Sequence, residues 1–200
     1  MPADGPVTVV LDANVLYPFL QRDVLLSLAS AGLFRARWTD AILAEWTRSL
    51  LVRRPQLQDN VERTVALMRA AFEECWVDGH EDLTEIPALP DPDDRHVLAA
   101  AIRCGAAHIV TNNLKDFPVA PLAAFGITAV SPDAFVADVV ARHPDAARAA
   151  LQAMRRRYDN PPMSRPEFLD ALIRAGFIRT AAIVRQSMER ARGSGMDAGD

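Results

Sequence analysis

Cysteine is scarce in this 200-residue chain, and the two that occur stand apart. Cys75 and Cys104 have no CxxC partner and no histidine at ligand spacing, which argues against a disulfide framework and against a structural zinc site. An excess of positive charge is missing too. Lys and Arg number 22 against 26 Asp and Glu, a formal charge of -4, so binding of any polyanion has to come from a local basic patch. No apolar run approaches the roughly 18 residues that a membrane helix needs, and no basic segment followed by an apolar one opens the chain. A soluble cytoplasmic protein without a membrane partner is the expectation. There is also no internal repeat and no low-complexity tract.

Half of the residues are hydrophobic, enough to bury a sizeable core in one domain with a helical appendage. Residues 7–11 form a short β-branched run of the kind buried on both faces of a parallel sheet. Similar short runs at 35–39, 76–78, 108–111 and 127–130 alternate with helical patterns at 16–31, 40–54, 57–75 and from Asp94 to Ile102. Asp40 is the expected cap of the second helix, and residues 79–90 read as a loop. This alternation predicts an α/β fold with a five-stranded parallel sheet flanked by helices. Beyond Ser131 the pattern becomes helical only, and Ser164 with Glu167 makes a capping box. The expected layout is therefore a sheet domain at 1–130, an all-helical C-terminal extension at 131–192 and a disordered tail at 193–200.

Four acidic residues stand at the ends of these elements. Asp12 follows the first strand, together with Asn14. Glu45 lies at the border of an apolar stripe formed by Ile42, Trp46 and Leu50. Asp94 precedes a helix whose apolar members are Val97, Leu98, Ala101 and Ile102, and Asp116 follows the fourth strand with Thr111 and Asn113. Taken singly, Asp94 reads as a helix cap and Glu45 as a solvated residue. Open parallel sheets, however, place their sites outside the carboxyl ends of strands where the strand order reverses. If the first and fourth strands are neighbours, all four carboxylates converge. A pair about 4 Å apart repels by roughly 4 kcal/mol at an effective dielectric near 20, and a hard divalent cation removes that cost. An all-oxygen set suits Mg²⁺ or Mn²⁺, which serve phosphoryl chemistry by activating water and neutralising charge.

In this order, VTVVLDANVLY, the Glu45 helix, DPDDRHVLAAAI and IVTNNLKDF resemble the PIN domain, in particular the VapC-type toxins of bacterial toxin–antitoxin pairs. The resemblance covers roughly residues 7–130. It implies a PIN-like three-layer fold, a metal-dependent endoribonuclease acting on RNA phosphodiester bonds, and an inhibitory antitoxin protein as partner. The family's four acidic positions fall on Asp12, Glu45, Asp94 and Asp116. Asp12, Asp94 and Asp116 are the implied ligands of Mg²⁺ or Mn²⁺, and Asn14, Thr111 and Asn113 supporting polar residues. Two alternatives stay open within the motifs: Asp93 in place of Asp94, and Asn113 in place of Asp116. Family likeness suggests a homodimer, for which the residues give no signal of their own. With the residues after Ser131 the chain is longer than a minimal PIN domain, and some VapC-like proteins are similar in carrying a helical C-terminal extension.

Other charges have two readings each. Arg95, His96 and Lys115 flank the proposed site and could contact an RNA phosphate, or be solvated. The runs Arg53 with Arg54 and Arg155 to Arg157 could follow an RNA backbone, although such runs are more often solvated helix faces. Phe168, Leu172, Phe177 and Ile183 form an apolar stripe that packs the extension or, less simply, receives an antitoxin. Alternative functions are a housekeeping RNA-processing nuclease, an aspartate-nucleophile phosphohydrolase built on Asp12, and a non-catalytic interaction module. The phosphohydrolase is disfavoured because Asn14 stands where that chemistry wants a second aspartate. The module is disfavoured because all four acidic positions are filled.

Overall fold

The computed structural model describes residues 5–83 and 89–193, and side chains up to residue 189. The tail expected to be disordered lies, apart from Gly193, outside the described residues, as does the middle of the loop expected at 79–90. The chain divides into two compact units, one formed by residues 1–22 and 34–131, the other by 23–33 and 132–200.

The first unit is built on β1 (Thr8–Leu11), whose Val9, Val10 and Leu11 are fully buried. It lies between β2 (Arg35–Arg37) and β3 (His108–Val110), and β3 pairs outward with β4 (Thr128–Val130). All three pairings are parallel, in the order β2-β1-β3-β4. Val9, Val10 and Leu11 face His108, Ile109 and Val110 in register, so the first and fourth of the expected strand runs are indeed neighbours. Four strands form among the described residues where five were expected. The run at 76–78 is reduced to a single parallel bridge between Trp38 and Trp76, held by Trp38 N–H to Cys75 O (3.0 Å) and Val77 N–H to Trp38 O (2.9 Å). It stops there because Gly79 turns the chain at φ +69°, a left-handed conformation open to glycine, while Thr39 on the other side already begins a helix.

The connections of this unit are helical: α1 (Ala13–Leu16), the start of α2 (Phe19–Ser30), α3 (Asp40–Arg53), α4 (Gln58–Ala71), α5 (Arg95–Arg103) and α6 (Val119–Ala123). The helix expected at 16–31 is thus two, broken at Tyr17 and Pro18. Thr39, not Asp40, caps α3: its buried Oγ1 accepts from Ile42 N–H at 3.1 Å. Asp40 instead accepts from Arg69 (2.5 Å) and Trp76 (2.8 Å). From that cap, Ile42, Leu43 and Trp46 are driven into the core, and Glu45 is left at its border.

The second unit is helical, with α7 (Pro132–Arg142), α8 (Pro144–Arg156), α9 (Arg165–Arg174) and α10 (Ile178–Gly193). α10 packs on α7 and α9, and α7 packs on α8. The predicted capping box opens α9. Phe168, Leu172 and Phe177 are buried and Ile183 half-buried, so the apolar stripe is consumed by packing within the described residues. The Arg155–Arg157 run is likewise engaged: Arg155 donates to Met163 O (2.6 Å) and Arg157 to Asp23 (2.7 Å) and Ser27 (2.8 Å). Among the described residues, no helix is long and apolar enough to cross a membrane.

Removing the α3 cap leaves a buried amide unsatisfied. Thr39→Ala should lower stability by about 1 kcal/mol, read as a lower urea midpoint at unchanged slope. An unchanged midpoint would mean that α3 is held by packing alone.

Candidate active site

The strand order reverses between β1 and β3, and the carboxyl ends of those two strands carry Asp12 and Thr111. Both are almost wholly buried, Asp12 at 2% exposure. Thr111 Oγ1–H donates to Asp12 Oδ2 at 2.6 Å, and Asn14 Nδ2 donates to the same oxygen at 2.5 Å. Asn14 is itself fixed, because its Oδ1 accepts from Asn112 N–H (2.8 Å) and its main-chain oxygen from Asn112 Nδ2 (3.1 Å). Asp12 therefore stands in a single orientation. Burial raises its carboxyl above the ordinary range, and the Thr111 hydrogen bond opposes that rise.

Asp94 begins α5, yet its side chain makes no capping bond. The capping role in this turn belongs to Asp91, whose Oδ1 accepts from Asp93 N–H at 2.9 Å. Asp94 points elsewhere: ligand oxygens of Asp91, Asp94 and Asp116 lie within 4.8 Å of one another. Its Oδ2 is buried without a hydrogen-bond partner among the described residues. Burial, then the charges of Asp12, Asp91, Asp116 and Glu45, push its carboxyl up to about 7. Asn113 Nδ2 donates to Asp116 Oδ2 and fixes the third member.

Glu45 on α3 is half-exposed, and its carboxyl is also raised, by burial and by Asp12. His96, one residue into α5, bridges toward it. Its Nδ1 lies 2.7 Å from Asp93 O, so that nitrogen carries a proton, and its Nε2 is 3.7 Å from Glu45 Oε2. A protonated His96 opposes the rise at both Asp12 and Glu45.

Each expected acid thus acts on Asp94, but the tight trio differs from the expected ligand set. Asp91 enters it, while Asp12 and Glu45 are not members of that group. The signal for Asp91 was its three-residue spacing from Asp94, which in one helical turn puts two side chains on the same side. Asp93, the alternative to Asp94, is exposed and outside the trio. Asn113, the alternative to Asp116, serves it as donor. Arg95 and Lys115 are exposed beside Asp94 and Asp116 in the chain.

A crowd of carboxylates with an unpartnered buried oxygen fits a hard cation, since only oxygen donors are present. Comparison with known proteins identifies the family of the chain. The sequence model of the PIN domain matches residues 8–115, just over half of the chain. This chain belongs to the PIN-domain family. Residues 132–186 match a second model, that of the VapC50 C-terminal domain, so the PIN domain is followed by a recognised extension. Over 79 residues the chain is 44% identical to "Putative ribonuclease VapC50" of Mycobacterium tuberculosis (strain ATCC 25618 / H37Rv). That stretch is 40% of this chain and 47% of the relative, so the match spans about half of the relative's length. No solved structure matches the chain.

The electrostatics of this PIN domain set a pH dependence. With its folded value near 7 against 3.8 for a free side chain, folded Asp94 keeps between about pH 4 and 7 a proton that the unfolded chain has already released. Stability of the metal-free protein therefore falls as pH rises through 7, and Asp12 and Glu45 act in the same direction. In EDTA the melting temperature should be higher at pH 5.5 than at pH 8. Asp94→Asn should raise the pH 8 value by about 2–4 °C and flatten the slope. Equal melting of variant and wild type at pH 8 would mean that the carboxylates do not repel as their spacing implies.

Proposed function

We propose that this chain is a metal-dependent endoribonuclease that hydrolyses RNA phosphodiester bonds, and that it is the toxin of a toxin–antitoxin pair, held inactive by a cognate antitoxin. The observation that carries the chemistry is the unpartnered, buried Asp94 Oδ2 among the carboxylates of Asp91 and Asp116. Three acids crowded to this degree oppose folding unless a cation offsets them. Mg²⁺ or Mn²⁺ bound there would polarise a phosphoryl oxygen and lower the pKa of a water molecule. Asp94, Asp116 and Asp91 would hold the cation, with Asp12 behind them.

The chain's own groups then account for the remaining work. Thr111 and Asn14 keep Asp12 from turning, and Asn113 does the same for Asp116, so the acids need no rearrangement when substrate arrives. Glu45 would take the proton of the attacking water as its oxygen bonds to phosphorus and the P–O bond to the leaving nucleotide breaks. His96 Nε2 at 3.7 Å would steady Glu45 once it is protonated. Support for the biological setting comes from the likeness to a relative named as a ribonuclease of the VapC group and from the matching extension.

The test is cleavage of a labelled mixed RNA pool by purified protein. Activity should require Mg²⁺ or Mn²⁺, disappear with EDTA and fall at least 100-fold in Asp94→Asn. Asp91→Asn should lose about 10-fold, recovered in part at high metal concentration, because it weakens one ligand of several. Growth arrest on expression, relieved by Asp94→Asn, should accompany it. Wild type and Asp94→Asn cleaving alike would overturn the reading.

A further inference from the structure

The arginine pair at the end of α3 has no part in the chemistry above, yet concave surface extends toward it from Glu45. Beside Asn14 and Glu45 a concavity of about 220 Å³ opens, with Tyr17, Trp46 and Arg53 in its wall. Tyr17 and Trp46 also line a second concavity of about 420 Å³, which continues to Phe19, Arg22 and Arg54. The shared residues set the two side by side, and all of their lining belongs to the sheet unit.

The chemistry of this path changes along its length. Glu45 stands at its inner end, and among the described residues no carboxylate lines its outer part. The cations there are held against rings: Arg53 lies 5.9 Å from the centre of Tyr17, and Arg22 lies 4.9 Å from that of Trp46. Arg22 is also tied by a 2.5 Å bond to Leu16 O, which fixes its buried charge. Arg53 and Arg54 are both exposed, so their guanidinium N–H groups can reach a phosphate. Phe19 exposes 61% of its surface on the same path. An aromatic face beside arginines is what an unstacked base needs, and a duplex offers no such base.

We propose that the path from Glu45 past Tyr17 to Phe19 and Arg54 holds the single-stranded RNA segment flanking the cut bond, with Arg53 and Arg54 on its phosphates and Phe19 beneath a base. This rests on the nuclease reading of the acidic site. The charge of the chain as a whole repels RNA, so affinity has to be supplied locally. Continuity with the acidic cleft selects RNA over a protein occupant, since the substrate must leave that cleft along a path that carries cations.

The experiment separates binding from cleavage. Full-length Asp94→Asn protein with Mg²⁺ is titrated by fluorescence anisotropy with a mixed pool of labelled 12-nucleotide single-stranded RNA and with the same pool as duplex. Arg53→Ala/Arg54→Ala, Phe19→Ala and Phe19→Leu are compared on that background, each checked for an unchanged melting temperature. Arg103→Ala, at the far end of α5 from Asp94, controls for net charge. The double variant should bind single strands at least 10-fold more weakly and flatten the salt slope by about 1.4. Both Phe19 variants should lose about 5-fold or more, Leu included because it keeps the bulk and removes the ring. Arg103→Ala should stay within 2-fold, and the duplex should bind less well than the single strand. In the active background the Phe19 variants should raise KM with kcat retained. If the variants bind like their parent while wild type cleaves, the channel proposal falls and the nuclease stands. Equal loss on duplex and single strand also overturns it. If wild type cleaves nothing and the parent binds no RNA, the nuclease reading fails and takes the channel with it.

Discussion

One hydrogen bond joins the sheet to the chemistry: Thr111 Oγ1–H to Asp12 Oδ2, 2.6 Å, across the carboxyl ends of β3 and β1. Its two residues are 99 positions apart in the chain and are brought together by the parallel pairing of Val9–Leu11 with His108–Val110. A slip of one residue in that register would turn one of the two partners to the other face of the sheet. The fully buried valines and leucine of β1 resist such a slip, because each would lose roughly 1.5–3 kcal/mol on leaving the core. The orientation of Asp12 is thus a property of the core as a whole.

Around that fixed point, the fold places charge where folding alone would not. Asp94 sits at a helix start, where a carboxylate ordinarily serves the free amides, but it is the exposed Asp91 that does so. Division of labour between two aspartates three residues apart gives Asp91 the capping bond and leaves Asp94 wholly to the cluster. The same economy recurs at Asn113, which is spent on Asp116, and at Asn14, which is spent on Asp12.

Much of this was legible in the sequence because it depends on local pattern. The β-branched run at 7–11, the alternation of strands and helices, and acids at strand ends all follow from periodicity and position. The capping box at Ser164 was legible for the same reason. What escaped depends on distance in space. The run at 76–78 has strand-like residues, but its pairing is limited by Gly79 on one side and by the onset of α3 beyond Trp38 on the other. Asp40 and Thr39 are equally good caps by type, and the choice was made by Arg69 and Trp76, which draw Asp40 away. Asp91 caps the turn ahead of α5. Only the position of Asp116 makes it part of the cluster as well.

The helix Phe19–Ser30 belongs to both units, its first four residues to the sheet unit and the rest to the helical one. Within the helical unit Asp23 accepts from Arg157 (2.7 Å) and from the Tyr158 hydroxyl (2.6 Å). The seam between the units therefore does not coincide with any one cut in the chain. A chain ended at residue 131 would keep residues 23–33 while losing every helix they are grouped with, leaving Asp23 without those two donors. Exchange of the extension between relatives, by recombination or by design, would have to carry a matching stretch of the N-terminal helix with it.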